Sequence, residues 1–494
     1  MFHKKLTRRR FSILLGRLLA VLAAVFSFPG RARIEAPLGS ESFRGLQEKI
    51  AGEVITKDHE NYAARLRSIT WQLRKTDRQP DVIIQAKSVD DVMNAVKFAG
   101  QNGMKVGIRS GGHSWVSSPI RDGGMLLDMS YFRDLEINAD NKTAVVGPAI
   151  YARELATVLG RQGLGFPVAH CSTVPMGGYL LGGGQAWNWG SWGGAACNSV
   201  LGLDVVTAQG ELIRVDEDHH AELLWAARGS GAGFPAIVTN YHLKLYPLPQ
   251  AMHLSSYTWP LQDTLAVSEW LPDVGSTLAN KVELFMFLLT LPEQVNGVTK
   301  VVNVTAVVFA DEEDEARDLL SPMSAAHSVA EPIVLEETKP VTFDDLFDLV
   351  NLSFPPCRAA ADTFYFDISM REVMEQYVNH FAAAPSPMSN VLCEVKPKPI
   401  DLPDTAYSMR RLTFLSPYSF WMDEKEDKQN IAWMKRTQEI LAPLSVGHFI
   451  SEADLEASPE RSERSFSKAS WQKIKAVKDK YDPDGVFHTY IGHG

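Results

Sequence analysis

The chain has 494 residues, 45% hydrophobic and 22% charged, a globular composition in which no low-complexity block dominates. Its formal net charge of −10 repels phosphate backbones, so nucleic acid is not an expected partner. Four cysteines in this length make no disulfide framework, and two or three structural units are expected for so many residues.

Lys4 and Lys5 lead into Thr7-Arg8-Arg9-Arg10-Phe11-Ser12, followed by an apolar run from Leu18 to Phe28. That run is too short to span a bilayer but suits a signal-peptide core, with Pro29 breaking it and Gly30-Arg31-Ala32 offering a cleavage site. Paired arginines before a phenylalanine resemble a twin-arginine signal, whose pathway carries proteins already folded around a cofactor and implies a bacterial host. An ordinary secretory signal or a short anchor is the alternative. Residues 1–32 are thus read as a leader and 33–79 as a lead-in. The mature chain is expected to be periplasmic or secreted, with no stable membrane span.

From Pro80 strand and helix alternate, the pattern of an α/β unit. Asp81 to Gln85 reads as a strand. Ser88 starts a helix whose apolar face is Val89, Val92, Met93 and Val96. Lys105 to Arg109 is a second strand. Leu203 to Ala208 and Glu211 to Val215, separated by Gln209-Gly210, read as a hairpin. Residues 80–250 form one domain on this reading. Residues 251–447 differ in texture: apolar strands such as Lys281 to Leu289 and Val301 to Phe309 alternate with amphipathic helices such as Glu312 to Leu320. That predicts an α+β domain with an antiparallel sheet backed by helices. Residues 448–494 carry a helical stretch, Phe466 to Tyr481, and return to the first domain.

Three segments carry the chemistry. In Arg109-Ser110-Gly111-Gly112-His113-Ser114, two glycines at a strand end let successive N–H groups turn toward one anion, and place a histidine beside whatever carries it. Cys171-Ser172-Thr173-Val174-Pro175-Met176-Gly177-Gly178 sets a cysteine before a glycine cluster. Trp225-Ala226-Ala227-Arg228-Gly229-Ser230-Gly231 runs into Ile237-Val238-Thr239. None fits G-x-G-x-x-G or the P-loop pattern, so a dinucleotide would be held in some other way.

R-S-G-G-H, C-x-T-V-x-x-G-G, W-A-x-R-G-x-G and Tyr481-Asp482-Pro483-Asp484-Gly485-Val486-Phe487 occur in the order and rough spacing of the berberine-bridge-enzyme-like FAD oxidases. The resemblance covers roughly Pro80 to Pro249 and Leu392 to Gly494. It implies a fold in the α+β class: a two-part FAD-binding domain of p-cresol methylhydroxylase type joined to the sheet-based substrate domain. It also implies FAD bound through two covalent bonds, from His113 to the flavin 8α-methyl and from Cys171 to flavin C6. Arg109, Ser110, Gly111, Gly112, Ser114, Thr173, Val174, Gly177, Gly178 and Val238 would supply pyrophosphate and ring contacts.

The family's tyrosine-x-asparagine-tyrosine near the C-terminus reads Phe449-Ile450-Ser451-Glu452 here, so the phenol that often serves as base is missing. Two carboxylates are candidates to replace it. Glu394 precedes Thr405-Ala406-Tyr407-Ser408-Met409-Arg410, which resembles the family's T-A-F-x-x-R strand. A carboxylate in an apolar flavin pocket would have a usefully raised pKa. Glu452 takes the fourth place of the altered motif and ranks second. Trp187, Trp189 and Trp192 either wall a flat substrate or pack a loop onto the core. Asp216 to His220 reads as a solvated face with no metal. Cys197, Cys357 and Cys393 are core thiols or hold one bridge.

The expected activity is hydride abstraction from an alcohol, sugar or aromatic substrate, with O₂ as acceptor. A dehydrogenase using another acceptor and an exported binding protein with a decayed flavin site are the alternatives.

Overall fold

The computed structural model describes residues 40–395, 402–409 and 413–493. The leader, most of the Pro-rich insert from Pro397 to Pro403, and Arg410 lie outside the described residues.

Ser88 caps its helix as its position predicts: Asp91 N–H donates to Ser88 Oγ at 3.2 Å, and the helix runs Val89–Gln101. Asp91 is buried because its carboxylate also accepts from the N–H groups of Ala51, Gly52 and Lys87. One side chain thereby ties the lead-in to the first sheet. That sheet contains β1 (Glu53–Thr56), β2 (Val82–Gln85), β3 (Val106–Arg109) and β4 (Met125–Asp128), in the order β1-β2-β4-β3. β4 pairs in parallel with both β2 and β3, as a strand–helix–strand unit requires.

A second sheet is antiparallel throughout. Its strands are β5 (Leu135–Asn138), β6 (Thr143–Val146), β8 (Val200–Val206), β9 (Leu212–Val215) and β10 (Ile237–Lys244), in the order β5-β6-β10-β8-β9. The predicted hairpin is β8–β9. The short strands β7 (Leu164–Gly165) and β11 (Tyr246–Pro247) pair beside it.

The third sheet has eight strands, all antiparallel: β12 (Ala251–Pro260), β13 (Val282–Val295), β14 (Val298–Ala310), β15 (Val334–Pro340), β16 (Arg358–Ala361), β17 (Phe364–Phe366), β18 (Asn390–Val395) and β19 (Thr413–Trp421). Their order is β15-β12-β14-β13-β18-β19-β16, with β17 also on β19. Strand alternation splits the side chains between two faces. Tyr257, Trp259, Met286, Val304 and Val391 pack into a core with the helices Thr264–Thr277, Met370–Ala382 and Asp427–Leu441. Leu254, Phe285 and Val307 face the other way and join the core around the second sheet.

The C-terminal motif has a local reason. Asp482 accepts from the N–H groups of Val486 (2.7 Å) and Phe487 (3.1 Å), closing a turn through Gly485, whose φ is +64°. The chain then runs along the free edge of β3, with Val106 N–H donating to Val486 O and His488 N–H to Val106 O.

Candidate functional site

β3 ends at Arg109, whose guanidinium is spent on structure. Nη1 meets Asp128 Oδ1 at 2.9 Å and Nε donates to Ile69 O at 3.1 Å. Glycine follows of necessity. A Cβ on Gly111 would lie 2.5 Å from the Pro175 ring; one on Gly112, where φ is +74°, would lie 1.8 Å from Ile69 O. The bend directs His113 into a cavity of about 540 Å³, within the range of ligand sites.

His113 stacks on Trp71 with centroids 4.8 Å apart, and its Nε2 lies 3.2 Å from Thr173 Oγ1. Surrounding protein desolvates the ring and pushes its pKa down to about 4, so the imidazole is neutral near pH 7. Cys171 lines the same cavity. Burial, reinforced by the charge of Glu452, pushes its thiol up to about 12.

Of the residues singled out as flavin contacts, Ser110, Gly112, Ser114, Val174, Gly177, Gly178 and Val238 line this cavity with His113 and Cys171. Arg109, Gly111 and Thr173 do not line it: Arg109 and Gly111 shape the bend, and the exposed Thr173 meets His113. Arg121 and His488 line the cavity beside the C-terminal return. Burial lowers the Arg121 pKa to about 10, yet leaves it a cation at neutral pH.

The two candidate carboxylates sit differently. Glu452, in a turn closed by its own N–H to Phe449 O, lines the cavity. Tyr418 OH on β19 donates to Glu452 Oε2 at 2.9 Å. Burial pushes Glu452 up to about 7; the Tyr418 bond opposes that rise, and the charge of Glu394 adds to it. Glu394 shares the face of Leu392 on β18 but is fully buried and does not line the cavity. It lies in reach of Tyr179 and Tyr365, whose phenol pKa values its charge helps raise.

Several site residues carry no motif. Tyr418 supplies a phenol from a strand instead of the C-terminal segment. His170 lines the cavity beside Cys171 with its Nε2 3.5 Å from Glu283 Oε2, while Glu283 Oε1 accepts from Trp189 N–H at 2.8 Å. Of the three tryptophans, Trp187 lines the cavity; Trp192 stacks on Tyr246 and Phe343. No disulfide joins the four cysteines. Among the described residues no group of acidic, histidine or cysteine side chains could hold a metal.

The FAD binding domain family matches residues 80–216, which contain the histidine and cysteine segments. The FAD-linked oxidoreductase nodO of Hypoxylon pulicicidum is 29% identical over 431 residues, spanning 87% of this chain and 93% of that one. The chain is an FAD-dependent oxidoreductase similar to the FAD-linked oxidoreductases over most of its length. Among solved structures, 6-hydroxy-D-nicotine oxidase from Arthrobacter nicotinovorans matches with a TM-score of 0.78 at 21% identity, covering 89% of this chain and 97% of that chain. The berberine-bridge-enzyme-like protein 1 of Physcomitrella patens matches with a TM-score of 0.76 at 19% identity, covering 90% and 98%. The chain therefore has the p-cresol methylhydroxylase-type fold that its ordered motifs predicted. No described helix is long and apolar enough to cross a membrane.

Proposed function

We propose that this enzyme is an exported oxidase whose FAD is held through His113 and Cys171, and whose Glu452–Tyr418 pair takes the substrate's proton. One observation carries the reading. A single cavity is lined by the glycine-formed wall with both attachment residues and by a carboxylate whose pKa is about 7.

When bound, FAD supplies a two-electron acceptor for hydride. The protein's own groups do the rest. Neutral His113 has a ring lone pair available, and Cys171 stands on the same wall. Ser110, Gly112, Ser114, Val174, Gly177, Gly178 and Val238 offer close contacts, with Arg109 and Gly111 setting the bend and Thr173 meeting His113. Arg121 offers positive charge beside the C-terminal return. The Glu452 carboxylate accepts the hydroxyl proton of an alcohol as its carbon loses hydride. A base with a pKa near the working pH combines adequate basicity with a large deprotonated fraction. Tyr418 holds that carboxylate in place.

Glu394 follows Glu452 in this ranking, the reverse of the order the sequence suggests. A group outside the cavity cannot reach a substrate proton, but its charge can set the basicity of one that does. The small-molecule substrate is an alcohol, sugar or aromatic compound, with O₂ taking the electrons as H₂O₂. Export through the twin-arginine route fits a cofactor loaded before transport.

Acid precipitation of the purified protein tests the attachment: the pellet should stay yellow and fluoresce on a denaturing gel, and free FAD in the supernatant would refute it. Changing Arg8 and Arg9 to Lys should trap flavin-loaded precursor in the cytoplasm; normal export of that variant would refute the route. Oxygen consumption during turnover, against dye reduction without it, separates oxidase from dehydrogenase.

A further inference from the structure

The far end of the same cavity holds a polar group that none of the motifs explains. Ser256 and Thr258 on β12 and Asn303 and Thr305 on β14 all line it. They are cross-strand partners, Ser256 opposite Thr305 and Thr258 opposite Asn303. The hydrogen bonds among them have a determined direction. Thr305 Oγ1 lies 2.8 Å from Asn303 Oδ1, which can only accept, so the Thr305 proton is committed there. Asn303 Nδ2 donates to Ser256 Oγ at 2.8 Å and to Thr258 Oγ1 at 2.9 Å. The remaining contact, Ser256 Oγ to Thr305 Oγ1 at 2.9 Å, must then carry the Ser256 proton. Ser256, Thr305 and Asn303 close a ring in which each donates to the next.

A closed ring consumes its own protons and leaves lone pairs. Ser256 Oγ and Thr305 Oγ1 each retain one unused lone pair, and both residues line the cavity. Charge points the same way. The lining side chains of this sheet include Glu336 on β15 and no Lys or Arg. Thr258 keeps one hydroxyl proton, and Lys339 pairs with Glu336 at 2.7 Å from outside the lining, so an anionic group would meet a single neutral donor and no lining cation; a hydroxyl or ammonium would find two acceptors.

Between the ring and the proton-accepting pair lies an apolar floor, Phe285 and Phe287 on β13 and Leu392 on β18, with Leu346 and Val350 of the helix Phe343–Ser353 also lining the cavity. Tyr418 on β19 is three strands from β14, a span of roughly 14 Å at the usual spacing.

We infer that the substrate is an elongated, largely apolar molecule whose end remote from the reacting carbon bears a hydrogen-bond donor, a hydroxyl or an ammonium, read by the Ser256–Thr305–Asn303 ring. The inference rests on the reading of this cavity as the flavin and substrate site.

The test uses the flavin-loaded enzyme under anaerobic conditions and four ten-carbon probes: decan-1-ol, decylamine, decyl methyl ether and decanoate. Binding is read from perturbation of the flavin visible bands. The alcohol and the amine should bind about tenfold or more tightly than the ether and the carboxylate, the scale set by leaving an acceptor unsatisfied or meeting an anion. In Ser256→Ala/Thr305→Val that preference should fall to about twofold or less, with acid-stable flavin content unchanged. If the double variant does not accumulate, Ser256→Ala alone, which opens the ring at one member, should at least halve the preference. Equal binding of all four probes, binding of none, or a preference that survives in the variants would overturn the inference. A wild-type protein without flavin would instead overturn the functional reading.

Discussion

The cavity has two walls built on different principles. The wall from β3, the Cys171 segment and the residues before β10 is made by backbone conformation: positive φ at Gly112 and approaches to Pro175 and Ile69 that admit no Cβ. The opposite wall, from the eight-stranded sheet, is made by side chains standing on alternate positions of ordinary strands. The first wall cannot change composition without changing shape. The second can exchange almost any side chain and keep its backbone. One wall is therefore suited to holding the same cofactor throughout, and the other to setting what is oxidised.

The largest effect expected comes from the first wall. Replacing His113 and Cys171 together by Ala should release all FAD on acid precipitation, whereas either change alone leaves flavin attached through the other residue. Denaturing gels scanned for flavin fluorescence read this directly, and complete release from a single variant would show that only one residue is attached.

Glu452→Gln comes next. It should slow anaerobic flavin reduction by about 10²- to 10⁴-fold, the usual range for loss of a general base, with flavin content unchanged. On the proposed role Glu452 acts as the carboxylate, so the wild-type rate should rise with pH and level off above about 7. A smaller change follows from its neighbours. Tyr418→Phe removes a donor to the carboxylate and should move the midpoint to higher pH. Glu394→Gln removes a nearby negative charge and should move it to lower pH, with less than about tenfold loss of the limiting rate. A hundredfold loss in Glu394→Gln together with a normal rate in Glu452→Gln would assign the base to β18.

The smallest effect belongs to a device remote from the chemistry. Asp482→Ala leaves the N–H groups of Val486 and Phe487 without their acceptor. It should cost about 1–3 kcal/mol of stability, seen in thermal unfolding, while the rate per bound flavin stays near that of the wild type.

The sequence by itself determined the glycine wall, the helix at Ser88 and the β8–β9 hairpin. In each, a local backbone requirement restricts which residue can occupy a position, so the requirement is written in neighbouring letters. It also determined that His113 and Cys171 would stand near glycine turns. It placed the antiparallel sheet correctly by its apolar runs. It ranked Glu394 above Glu452, the reverse of the order proposed from the cavity. Both are carboxylates beside altered motifs, and which one meets the cavity depends on how the turn after Phe449 packs against β19, thirty-four residues away. Tyr418 and the ring of Ser256, Asn303 and Thr305 were invisible for the same reason. A tyrosine or serine on a strand has no local signature of function, and the hydrogen bonds that give these residues a role run between strands that only the tertiary fold brings together.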